Sequence, residues 1–251
     1  MANFSMSLPK SKAEYVAQLL LDRIITTDMQ PGSSFGTEAE LLEQYDVSRP
    51  TLRESLRILE AQGVLQLRPG PKGGILVTKP GMDILAHGLS VYLRLHDVPF
   101  IEVLKAREVI EPALAAAAAE NATDEDLAAL QASVDRMGRI SDQAGFVEEN
   151  RVFHSRVAEA SKNEVMAIFW STISILAAGE QYGIKYTSRN QRHVVAAHQG
   201  IVDAIRARDS QKSAALMGEH LGELENLLGK RYQNLVGQAT HIVGRTGVQV
   251  R

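Results

Sequence analysis

The sequence predicts a mainly α-helical protein, an N-terminal winged helix-turn-helix followed by a C-terminal all-helical bundle. Alanine and leucine are plentiful while aromatics make up 5% of the 251 residues, a balance that favours helix over sheet. Short strand-like runs fall only in the first third, at 64–67 and 74–77, on either side of a Pro- and Gly-rich loop. From Met82 onward, alanine-rich segments with helical periodicity follow one another and no strand pattern appears.

The first predicted domain spans 11–80. Ser11 suits a helix cap ahead of Val16, Leu19, Leu20 and Ile24, which recur at helical spacing. Gln30-Pro31-Gly32-Ser33-Ser34 reads as a turn. Thr37 and Glu40 form a capping box for a second helix over about 37–45 that carries Leu41 and Leu42. After the break at Asp46-Val47-Ser48 a third helix begins near Arg49-Pro50, because first-turn amides have no intrahelical partner and proline costs nothing there. Leu52, Leu56 and Leu59 form its buried stripe, and Gly63 ends it. The two strand-like runs then make a hairpin, the wing.

The second predicted domain spans 82–235, with helices at about 84–95, 100–120, 124–140, 145–161, 164–184, 189–207 and 210–233. Thr123 with Asp126, and Ser210 after Asp209, look like helix starts. Short connections imply antiparallel neighbours in a bundle. Hydrophobic residues at 45% suffice for a core. The absence of cysteine excludes disulfides and thiolate metal sites. No leader-like apolar run opens the chain and no stretch has membrane-spanning length, so a cytoplasmic protein without membrane attachment is expected.

A net charge of −3 argues superficially against a nucleic-acid partner, but charge distribution matters more than its sum. Arg49, Arg53 and Arg57 recur every four residues on the third helix, opposite its leucine stripe, with Ser48 and Thr51 at its N-terminal turn. Guanidinium groups on one face pair bidentately with guanine edges, and exposed N-terminal amides accept phosphate. Lys72, beside Gly73 and Gly74, could approach a groove or backbone closely. By spacing alone, a solvated arginine face on an ordinary helix fits as well; the added wing favours DNA.

These residues resemble the GntR family of bacterial transcription regulators. The resemblance rests on Glu38-Ala39-Glu40-Leu41, the run from Val47 through Ser48-Arg49-Pro50-Thr51-Leu52-Arg53-Glu54-Ser55-Leu56-Arg57, Leu59-Glu60-Ala61-Gln62-Gly63, and Gly73-Gly74. It implies that Ser48, Arg49, Thr51, Arg53 and the wing tip at Lys72 and Gly73 contact a double-stranded, pseudo-palindromic operator. Glu38 and Arg57 complete the candidate DNA-binding set. Two departures stand out: Ala39 replaces a usual arginine, and Gly36 stands where proline is common.

In the second domain His154 lies four residues after Asn150, so both project from one helical face, while His198 and His220 fall on two further helices in apolar settings. Imidazoles converging in a bundle suit zinc or nickel. A histidine on an apolar face is equally an ordinary hydrogen-bonded core residue, and spacing does not separate the two. The segments Arg107-Glu108-Val109-Ile110-Glu111, Asn150-Arg151-Val152-Phe153-His154, His198-Gln199-Gly200-Ile201 and Met217-Gly218-Glu219-His220-Leu221 are similar to the FCD ligand-binding domain of the FadR-like branch. That resemblance implies a divalent metal held by Asn150, His154, His198 and His220, with asparagine in place of the usual aspartate. It further implies an effector site at Arg107, which suits a small carboxylate metabolite, although a simple pair with Glu111 explains the arginine too.

The expected protein is a homodimeric repressor whose operator binding responds to an organic acid. Two other readings are a DNA-binding regulator without a ligand and a metal-dependent hydrolase, for which Glu148 or Glu149 would have to serve as base.

Overall fold

Helix α1 (Lys12–Thr26) starts where Ser11 accepts a hydrogen bond from the Glu14 amide and buries Val16, Ala17, Leu20 and Ile24. The computed structural model describes residues 11–68, 70, 74–177 and 186–231, the last eight of these by backbone only. It separates into two compact units, Met1–Ile84 and Leu85–Arg251.

In the first unit α1 packs on α3 (Arg49–Ala61), whose Leu52, Leu56 and Leu59 are at most 3% exposed. Between them in sequence lies α2 (Glu38–Tyr45), opened by the Thr37–Glu40 capping box. Ser55 ties α3 to α1, its hydroxyl donating to the Ala13 carbonyl at 2.8 Å. Strands β2 (Leu65–Arg68) and β3 (Gly74–Val77) form the expected antiparallel hairpin, with Leu65 opposite Val77 and Arg68 opposite Gly74.

A third strand, β1 (Ser34–Gly36), pairs with the other edge of β3, giving the order β1-β3-β2. The sequence reading placed a turn at 30–34 and no strand after it. Three residues are too few to show alternation, and Phe35 alone turns inward, 2% exposed. The register slips between Ser34 and Gly36, and Gly36 sits at φ +114°. Proline, whose ring fixes φ near about −65°, cannot occupy that backbone. The departure at Gly36 is therefore dictated by the local chain path.

The second unit is built on α5 (Phe100–Asn121), which contacts α7 (Gln143–Ala160), α8 (Glu164–Leu176), α9 (Ser188–Arg206) and α10 (Ser210–Arg231). Ala115, Ala118 and Ala119 are fully buried; their methyl groups allow close approach by α10. Ser213 reinforces that contact by donating to the Ala115 carbonyl at 2.9 Å. Arg208 caps the end of α5, its guanidinium donating to the carbonyls of Ala119 and Ala122 at 3.2 and 2.7 Å. Phe146, Phe153, Leu130, Ile201 and Met217 fill the core with side chains from four helices, counting α6 (Asp124–Met137). Helix α4 (Met82–Leu95) precedes α5. Two predicted helix ends move: α6 stops at Met137 with Gly138 as its cap, and α8 stops at Leu176. Residues 178–185 and the tail beyond Arg231 lie outside the described residues.

Gly36→Pro should lower the stability of the N-terminal unit by more than about 1 kcal/mol, since the native φ is closed to proline. An unchanged urea midpoint for that unit would contradict the backbone assignment.

Candidate DNA interface and metal centre

The recognition surface grows from the start of α3. Ser48 is its N-cap, accepting from the Thr51 amide at 3.4 Å, and the two hydroxyls share a hydrogen bond of 2.7 Å. Arg49, Arg53 and Arg57 all lie on the exposed side of α3, opposite the leucines. Glu38, on the first turn of α2, receives Arg53 through Nε at 3.0 and 3.2 Å on its two oxygens, and Arg49 stands 3.7 Å from the same carboxylate. The carboxylate thus gathers two arginines while leaving both side chains more than half exposed, 57% for Arg53 and 64% for Arg49. Arg53, Arg57 and Arg68 line a groove between α3 and the hairpin. Glu60 lines it too and accepts from the Leu67 amide at 3.0 Å. Lys72 and Gly73 lie outside the described residues.

In the helical unit, α7, α9 and α10 bring His154, His198 and His220 together, each at most 7% exposed, with donor atoms within 4.8 Å of one another. The Nε2 atoms of His198 and His220 are 3.1 Å apart. Phe153 stacks on the His198 ring at 3.8 Å between centroids and fixes its plane. Burial, aided by the neighbouring histidines, lowers the pKa of His198 well below the ordinary value and takes that of His220 down to about 3. Both rings are therefore neutral at pH 7, the form that binds metal.

Asn150, one turn before His154 on α7, has its Oδ1 buried with no hydrogen-bond partner, and Nε2 of His154 is likewise unsatisfied. Buried polar atoms seldom go unmatched. Three imidazoles with an amide oxygen beside them, two donor nitrogens about 3 Å apart as around a common ion, fit a divalent cation such as zinc or nickel.

Sequence reasoning undervalued Glu111. It lies one turn after Arg107 on α5, and the expected pair forms, Arg107 Nε to Glu111 Oε1 at 2.5 Å. The other oxygen lies 2.5 Å from His154 Nδ1, joining Arg107 to the histidine cluster. Burial alone would raise the carboxyl's pKa, but Arg107 and His154 outweigh that and hold it well below the usual carboxylate range. A carboxylate between Arg107 and the histidine cluster is thus supplied by the protein itself. Only an α5–α7 contact could reveal this, and the sequence does not display one.

A cavity of about 460 Å³ adjoins the cluster, with Asn150, His154 and His220 on its wall. Arg189, Arg192 and His193 line it too. His193 of α9 meets Glu223 of α10 at 2.5 Å. Glu149 accepts from Ser133 and Arg136, and Glu148 pairs with Arg151, so both carboxylates named as possible hydrolytic bases are engaged elsewhere.

Comparison with known proteins agrees with this architecture. Residues 12–77 match the family model described as bacterial regulatory proteins, gntR family, and residues 102–223 match the FCD domain. The chain is 29% identical to the HTH-type transcriptional repressor NanR of Salmonella newport (strain SL254), over 90% of each protein. The protein of the same name from Salmonella typhi is also 29% identical, over 90% of this chain and 89% of that one. Among solved structures, Streptococcus agalactiae GntR superposes with a TM-score of 0.71 at 24% identity, over 86% of this chain and 99% of that one, which shows a shared fold. With a winged helix and an FCD domain matched in the expected order, the chain belongs to the GntR family, in its FadR-like branch, and is a DNA-binding transcription regulator rather than an enzyme.

Proposed function

We propose that this regulator is a repressor whose homodimer binds a pseudo-palindromic operator and releases it when an organic acid enters a metal-containing FCD domain. The observation that carries the sensing half is the buried convergence of His154, His198 and His220 beside an unsatisfied Asn150 oxygen. The name repressor follows the Salmonella relatives. On the DNA side, Ser48, Arg49, Thr51, Arg53 and Arg57 supply the contacts from α3, with Lys72 and Gly73 from the wing. Glu38 acts through Arg53 and Arg49, gathering their guanidinium groups at the start of α3, where DNA can compete for them. Two-fold symmetry sets the recognition helices about 34 Å apart, one helical turn of DNA.

On the sensor side Asn150, His154, His198 and His220 hold the metal. When bound, the ion supplies a positive centre that attracts a carboxylate. The chain provides the rest. Glu111 engages Nδ1 of His154, so that Nε2 is the nitrogen free to bind, a common arrangement for ligating histidines. Arg107 keeps Glu111 ionised. Asn150 brings no charge where an aspartate would, so the metal site retains more positive charge for an incoming acid. Effector binding then favours the dimer geometry that mismatches the operator half-sites.

Three outcomes are expected. Arg53→Ala should weaken operator binding by about 1–3 kcal/mol if it makes a good base contact; an unaltered gel-shift titration would remove it from the interface. His220→Ala should abolish stoichiometric zinc or nickel binding in calorimetry, and retention of wild-type affinity would exclude the histidine site. Glu111→Gln removes the charge opposite buried Arg107 and should cost about 3–5 kcal/mol in urea denaturation. Because the Glu111 pKa is depressed from 4.5, its contribution is complete above that pH and is lost progressively as the pH falls further.

A further inference from the structure

We propose that the effector carries two separated anionic groups, the outer one bound by Arg189 and Arg192. This rests on the cavity being the effector site and specifies what that site selects. The cavity is asymmetric in both burial and charge. His154 and His220 are buried at one end, whereas Arg189, Arg192 and His193, on the first two turns of α9, are exposed. The acidic residue lining the cavity, Glu223, is engaged by His193 at 2.5 Å.

Arg189 and Arg192 make no ion pair with any described residue, and among the described residues they are the arginines that line the cavity. Like charges three residues apart on one helix repel each other. An anion seated between them reverses the sign of that interaction, and the forked guanidinium matches carboxylate or phosphate bidentately. Arg192 precedes His198 by six residues, ~9 Å along the helix axis, so the two anionic groups must be several bonds apart. The cavity, at about 460 Å³, lies within the usual range for ligand sites of roughly 300–1,000 Å³ and is larger than a two-carbon acid would need. Asn150 adds a buried, unsatisfied oxygen on the same wall, a polar atom that awaits a partner from the cavity or the metal.

The test uses full-length, zinc-loaded protein and three acids with the same polyhydroxylated six-carbon chain and carboxylate head. Gluconate ends in an alcohol, glucarate in a second carboxylate and 6-phosphogluconate in a phosphate. In calorimetry the two doubly anionic acids should bind at least tenfold more tightly than gluconate, and the stronger of them identifies the preferred outer group. The advantage should shrink with added salt. The double variant R189Q/R192Q should lose it while keeping gluconate affinity, and its circular dichroism should match wild type because both side chains are exposed. Equal affinity for all three acids, or an advantage that survives in the double variant, would overturn this proposal alone. Failure of all three to bind would overturn the acid-sensing reading and this proposal with it.

Discussion

The helical unit depends on one buried carboxylate. Glu111 is 2% exposed and faces a guanidinium on one side and an imidazole on the other. Removing these groups from water is costly, and only mutual compensation makes it tolerable. Such a cluster is an inefficient source of stability compared with packed leucines. Its presence beside a core of alanine, phenylalanine and aliphatic side chains is explained by what it orients: the His154 ring and, through it, the donor set contributed by α7, α9 and α10.

The DNA-reading unit uses the same chemistry under the opposite condition. Glu38 also gathers arginines, but at the surface, where water screens the interaction and an exposed pair is worth little. The arrangement therefore holds Arg53 and Arg49 loosely enough for a phosphate or base edge to compete for them. Burial makes the Glu111 cluster rigid, and exposure makes the Glu38 cluster exchangeable. Each suits its task, one anchoring a site and the other handing guanidinium groups to DNA.

Much of this was legible in the sequence because it is local. The capping box at Thr37, the proline at the start of α3 and the four-residue spacing of the arginines all report on contacts within one or two turns. The three histidines could be assigned to separate helices, yet their convergence came only from family resemblance, since no periodicity encodes how helices cross. Glu111 was visible as an intrahelical partner of Arg107 and invisible as the neighbour of His154, forty-three residues away. β1 was missed because a three-residue strand leaves no pattern, and the His193–Glu223 pair because it joins two helices through side chains thirty residues apart. Gly36 was noticed as an anomaly, but its reason is a backbone angle that no residue name announces.

The alanines of α5 have a consequence beyond filling space. Ala115, Ala118 and Ala119 set the distance between α5, which carries Glu111, and α10, which carries His220. Methyl groups act there as a gauge block between two parts of an instrument. A bulkier side chain at any of these positions would change the bore of the sensor without touching a single group that faces its contents, so the tuning of such a receptor can drift through residues that have no chemistry of their own.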